Sequence, residues 1–160
     1  MLGMIAEADH KPMLAARQVG ALPIQREADG SLLVLLVTSR ETGRWIIPKG
    51  WPWPGTKDWV AATEEAREEA GILGQVQHEA IGSYSYEKRH ANGPTPVRVT
   101  VYFLEVTDML EDWPEKSERQ RAWFTLLDAA NVVAEPELKA VFYALARCTT
   151  APAPPPNTPP

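Results

Sequence analysis

Three glutamates, Glu65, Glu68 and Glu69, stand at i, i+3 and i+4 between two glycines, Gly50 and Gly71. On an α-helix that spacing puts all three carboxylates on one face. Like charges at i,i+4 destabilise a helix, and a cation held between them removes the cost. Hard divalent ions such as Mg²⁺ choose oxygen ligands of this kind and keep waters for a phosphate substrate. Ala62, Ala66 and Ala70 fall on the other side, where their small size lets the helix approach a sheet closely. A Glu-rich helix is ordinarily a solvated face with Lys or Arg partners. The Gly/Pro-rich loop after Gly50 and the stop at Gly71 set this one apart.

The surrounding chain alternates between strand and helix signals. Residues 16–25, 32–39 and 45–47 read as strands, the last stopped by Pro48. Residues 49–57 hold two glycines and two prolines and read as a loop. A helix is expected over 58–70, capped by Thr56 or Asp58 and closed by Gly71. Residues 76–87 and 97–106 read as two strands joined by a turn at Asn92-Gly93-Pro94. A short strand at 122–124 precedes helices over 126–134 and 136–147, the second opened by Pro136. The expected fold is α/β (α+β): a mixed central sheet covered on both faces by helices.

Composition narrows the function classes. A chain of 160 residues is about one domain long, and no apolar run approaches the roughly 20 residues of a membrane span. A net charge of −5 argues against nucleic acid as the main partner. The single cysteine, Cys148, has no partner for an internal disulfide, and the N-terminus lacks a signal pattern; a cytoplasmic location is expected. Residues 1–15 are expected to be a flexible N-terminus, 16–147 the folded domain, and 148–160 a disordered tail. Six of the last ten residues are proline.

The segment from Gly50 to Ile72 resembles the Nudix box, G-x5-E-x7-R-E-U-x-E-E-x-G-U with U apolar. Gly50, Glu65, Ala66, Glu68, Glu69, Gly71 and Ile72 match it; Thr56 stands in place of the first Glu and Glu64 in place of the Arg. Residues 38–48, 110–113 and 121–124 are similar to segments of the diphosphoinositol polyphosphate phosphohydrolase-like subfamily. The likeness covers roughly residues 16 to 147.

The resemblance implies a Nudix-type α/β/α sandwich that hydrolyses a phosphoanhydride in a polyphosphorylated small molecule. Diphosphoinositol polyphosphates and dinucleoside polyphosphates are the expected substrates. Nucleoside triphosphates or nucleotide sugars are the alternative. It implies Mg²⁺, with Mn²⁺ as a substitute, on Glu65, Glu68, Glu69 and the carbonyl of Gly50. Water activated by the ion attacks phosphorus, and Glu68 or Glu69 doubles as base. Glu115 and Glu118 are candidates for a further acid. The box Arg holds a catalytic Glu in the family; with Glu64 there, Arg67 is the expected stand-in, and a catalytically weak binding module is the third reading.

By the same resemblance the phosphate contacts are Arg17, Arg40, Arg89, Arg98 and Arg119 or Arg121, with Ser39 as a polar contact and Lys49 immediately before the box. Arg suits phosphate through its planar fork of donors. Trp51 and Trp53 are expected either to stack on a base or to pack over the sheet end. His78 and His90 lack metal-ligand spacing and are expected to be structural or surface residues.

Overall fold

The computed structural model describes residues 16–89 and 91–150. The N-terminal fifteen residues, His90 and the proline-rich segment from Ala151 lie outside the described residues, so the expectations for them stay with the sequence.

Strand runs that are apolar at every position form because both sheet faces are covered. β1 (Ala16–Arg26) and β2 (Leu32–Thr38) pair antiparallel, followed by β3 (Trp45–Ile46) and β4 (Lys49–Gly50). Then come α1 (Asp58–Ala70), β5 (Ile72–Val76), β6 (Gly82–Lys88), β7 (Thr95–Met109) and β8 (Arg121–Thr125). Two helices, α2 (Leu126–Val132) and α3 (Pro136–Thr150), end the described chain. The sheet runs β3-β2-β1-β7-β5, with β4 on β1, β6 on β7 and β8 on β2. β1 and β7 are parallel, and the other pairs are antiparallel. The sheet is therefore mixed, as expected.

Side chains alternate across it. Val34 and Leu36 join Phe142, Leu138 and Ala129 under α2 and α3, whereas Leu35 and Val37 join Ala61, Ala62, Ala66 and Ala70 under α1. All four alanines are fully buried. Small side chains bring α1 close to the sheet, so the opposite, carboxylate face of the helix lies near the sheet's end.

Several boundaries differ from the sequence reading. Lys49–Gly50 is a strand on β1, because Val19 and Gly20 offer it open backbone groups. The strand expected over 76–87 starts only at Gly82, as β6, and β5 (Ile72–Val76) is a further strand before it; both pair with β7. Neither Thr56 nor Asp58 caps α1. Lys57 takes the N-cap place without a side-chain bond, and Asp58 pairs instead with Arg17 at 2.6 Å. α3 runs to Thr150, three residues past its expected end. Among the described residues no helix is long and apolar enough to cross a membrane.

Gly71 ends α1 as expected, at φ 66°, where its N–H bonds the carbonyls of Ala66 and Arg67. A Cβ there would meet the Trp113 ring at 2.6 Å. Left-handed backbone costs an L-residue about 1–2 kcal/mol, and the ring contact adds to that. Gly71→Ala is expected to lower the unfolding free energy by at least this amount in urea denaturation. A change within about 0.5 kcal/mol, ordinary for surface sites, would show that the turn relaxes freely.

Candidate active site

α1 carries the three box glutamates to the end of the sheet where β4 begins. Glu65 lies against the main chain of Gly50, so closely that a Cβ on Gly50 would sit 2.3 Å from its carboxyl carbon. Glu69 is buried, with 7% of its surface exposed. It accepts the backbone N–H of Lys49 at 3.4 Å and faces the Arg119 guanidinium at 3.5 Å. Its own carbonyl accepts the Trp113 indole N–H at 3.0 Å. Glu68 stands at the open side, 3.8 Å from Arg67.

The electrostatics follow from crowding. Burial, then the charges of Glu69 and Glu68 beside it, push the Glu65 carboxyl up to about 8. Burial lifts Glu69 to about 7 against the pull of Arg119 and Lys49. Burial also lowers the Lys49 ammonium, while Glu69 supports its charge. Lys49 Nζ lies 4.6 Å from the centre of the Tyr86 ring.

The donor set fits a hard divalent cation by its chemistry. Desolvated carboxylates forced together carry an energetic penalty that such an ion relieves, and oxygen donors are its preferred ligands. In this conformation no three His, Cys, Asp or Glu side chains among the described residues converge on a metal position. Glu65 and Glu69 lean on one another instead.

Beside the carboxylates opens a cleft of about 640 Å³. Ser39, Arg40, Lys49, Arg89 and Arg119, five of the expected phosphate contacts, line it together. Arg44 and Lys88, two cations outside the expected set, join them. Arg44 sits within the segment that carried the family likeness, which was the available signal. Lys88 offered none, because its place depends on the pairing of β6 with β7. Three acidic groups, Glu41, Glu87 and the buried Glu135, share the lining; Glu135 Oε2 lies 3.5 Å from Arg44, and its Oε1 has no hydrogen-bond partner.

Three expected contacts lie elsewhere. Arg17 is held by Asp58 on the α1 side. Arg98 bonds Ser83 and Ser85 at 2.8 and 2.9 Å and stands 3.6 Å from Glu137. Arg121 donates to the carbonyls of Ala70 and Leu110 at 2.8 and 2.7 Å and stacks 4.0 Å over Trp113, so it ties down the end of α1.

The remaining acids separate as well. Glu115 reaches the carboxylate group through Arg119 at 2.7 Å, and its N–H bonds the Glu68 carbonyl at 3.1 Å. Glu118 points outward to Arg40 at 3.2 Å. Arg67 pairs with Glu64 one turn away. Trp51 and Trp53 are exposed. His78 stacks on Trp59, a structural contact.

Comparison with known proteins accords with this architecture. A model of the NUDIX domain matches residues 15–145. The bovine diphosphoinositol polyphosphate phosphohydrolase 3-beta is 32% identical over 121 residues, covering 73% of this chain and 68% of that protein. The human 3-alpha protein is 33% identical over 119 residues, with the same coverage. The chain belongs to the Nudix family, and it is a hydrolase of that family. Solved structures share the fold. A C. elegans Ap4A hydrolase binary complex aligns at TM-score 0.60 and 23% identity over 81% of this chain and 93% of its own. The NUDIX domain of Shewanella oneidensis NrtR, complexed with ADP ribose, aligns at 0.61 and 19% over 93% and 100%. Nudix hydrolases generally use divalent metal ions.

Carboxyls raised in the folded state stabilise it fully below their unfolded value and lose that contribution as pH rises through the folded one. Glu65 and Glu69 are raised to about 8 and 7. The metal-free protein is thus expected to lose Tm as pH climbs through that window, and a divalent cation should flatten the loss. A flat metal-free profile would show that the pair is not crowded. Gly50→Ala should displace the Glu65 carboxyl and cut kcat far more than it lowers Tm; equal activity in the variant would mean that Glu65 moves without consequence.

Proposed function

We propose that this chain hydrolyses a phosphoanhydride bond in a polyphosphorylated small molecule, with Mg²⁺ or Mn²⁺ as cofactor. One observation carries the reading. Lys49 and Arg119 belong at once to the cationic cleft and to the carboxylate group. A phosphate chain lying on Arg40, Arg44, Lys49, Lys88 and Arg89 is thereby brought beside the carboxylates.

In this reading Glu65, Glu68 and Glu69, with the Gly50 carbonyl, hold the ion. When bound, it lowers the pKa of water and offsets charge on phosphate oxygens. Arg40, Arg44, Arg89, Lys49 and Lys88 bind the phosphates, and Ser39 adds a polar contact. The carboxylate of Glu68 or Glu69 accepts the proton of the attacking water as its oxygen bonds to phosphorus. The bridging oxygen leaves with the electrons of the broken P–O bond.

The substrate class proposed is a diphosphoinositol polyphosphate or a dinucleoside polyphosphate. Arg40, Arg44, Lys49, Lys88 and Arg89, five cations in one cleft, support a ligand rich in phosphate. The names of the curated relatives point to the first substrate, and the Ap4A hydrolase neighbour to the second. A nucleotide of lower charge is favoured instead by the exposed rings of Trp51 and Trp53, which offer flat surfaces for a base.

A phosphate-release screen with Mg²⁺ and Mn²⁺ tests the reading across diadenosine polyphosphates, inositol pyrophosphates, nucleotide sugars and nucleoside triphosphates. Glu65→Gln and Glu69→Gln are each expected to cut turnover by at least about 10²-fold. Turnover that persists in either variant sinks this assignment of the site. Silence of the wild-type protein across the panel would mark a binding module.

A further inference from the structure

Arg119 is only 6% exposed at its side chain, although it lines the cleft. Its nitrogens are already committed. Nη1 donates to the Thr38 carbonyl at 3.0 Å, Nε to Glu115 at 2.7 Å, and Nη2 faces Glu69 at 3.5 Å. Each of its three nitrogens thus faces an acceptor, and the burial of the group leaves its other N–H groups little access to a ligand in the cleft. The cation nearest in sequence, Arg67, is turned to Glu64 and stands 3.8 Å from Glu68. Among the ion pairs of the described residues, Arg119 is the guanidinium that reaches Glu69.

We propose that Arg119 is a positioning residue: its fork fixes the Glu69 carboxylate in its reacting geometry, with Glu115 and the Thr38 carbonyl as anchors, and it does not serve as a substrate-phosphate ligand. The inference rests on the reading of the box carboxylates as the hydrolytic site. It accounts for how a chain with Glu64 in the box keeps a buried carboxylate in place. The guanidinium comes from a loop 50 residues further along, just before β8, and not from α1 itself. Lysine cannot replace it, because a single ammonium cannot span three acceptors arranged around a planar fork.

The test is Arg119→Lys, which keeps the charge, with Glu115→Gln as a second variant that keeps the guanidinium and loosens one anchor. Mn²⁺ binding is read by the paramagnetic resonance of the free ion. Steady-state kinetics use diadenosine tetraphosphate and an inositol pyrophosphate. Arg119→Lys is expected to weaken Mn²⁺ binding or turnover by about 10- to 100-fold, as supporting residues around metal sites do, with KM within about threefold of wild type. Glu115→Gln should move the same quantities in the same direction, by less. Arg40→Ala, at an exposed cleft residue, should raise KM instead. A folded Arg119→Lys protein with kcat and Mn²⁺ affinity intact, or with KM raised about tenfold and kcat held, overturns the proposal. Glu69→Gln separates the two levels: if it stays active, the reading of the site has failed, whereas if it is inactive and Arg119→Lys behaves as a KM variant, only the positioning role has.

Discussion

Glu69 is a buried carboxylate, and the site is organised around keeping it so. Removing an ionised carboxylate from water costs several kcal/mol unless charge and hydrogen bonds replace the lost hydration. Here the replacements come from three places: the Lys49 backbone N–H at the start of β4, the Arg119 guanidinium from the loop before β8, and the Lys49 charge. None of these lies on the helix that carries Glu69. The carboxylate therefore depends on β4, α1 and the 110–120 loop arriving together. The buried alanine face of α1 is what lets them arrive, since a larger side chain at Ala62 or Ala66 would lift the helix off the sheet.

The end of α1 is secured by the same economy. Trp113 donates to the Glu69 carbonyl, Arg121 caps the Ala70 carbonyl and stacks on Trp113, and Gly71 leaves room for the ring. Orphan carbonyls at a helix end need partners, and cations there also complement the helix dipole. Arg121 is thus consumed by structure. The chain as a whole is acidic, yet its cleft gathers Arg40, Arg44, Lys49, Lys88 and Arg89 next to the acidic group. Opposite charges placed side by side suit a ligand that is itself an anion and is processed at a cation-binding centre.

Much of this could be read along the chain. Helical spacing fixed the carboxylate face, because residues three and four apart are neighbours whatever the rest of the protein does. The apolar run of β2 and the glycine stop at Gly71 were equally local, and α1 lies over Asp58–Ala70 as read. Cap choice was less legible. Thr56 and Asp58 both looked suitable, but the Asp58 carboxylate answers to Arg17 on β1, a partner set by the sheet.

The cations show where local reading ends. Arg17, Arg40, Arg98, Arg119 and Arg121 look alike in the sequence, and the family likeness treated them alike. Their surroundings separate them into a helix-start partner, a cleft cation, a partner of Ser83 and Ser85, the clamp on Glu69, and a helix-end tie. That three carboxylates share a face between two glycines was already written into the order of residues 50 to 71. Which guanidinium stands opposite which carboxylate came only with packing. Spacing along a helix is set by bonds within the helix, whereas a long, flexible side chain takes whichever acceptors the packed neighbours present.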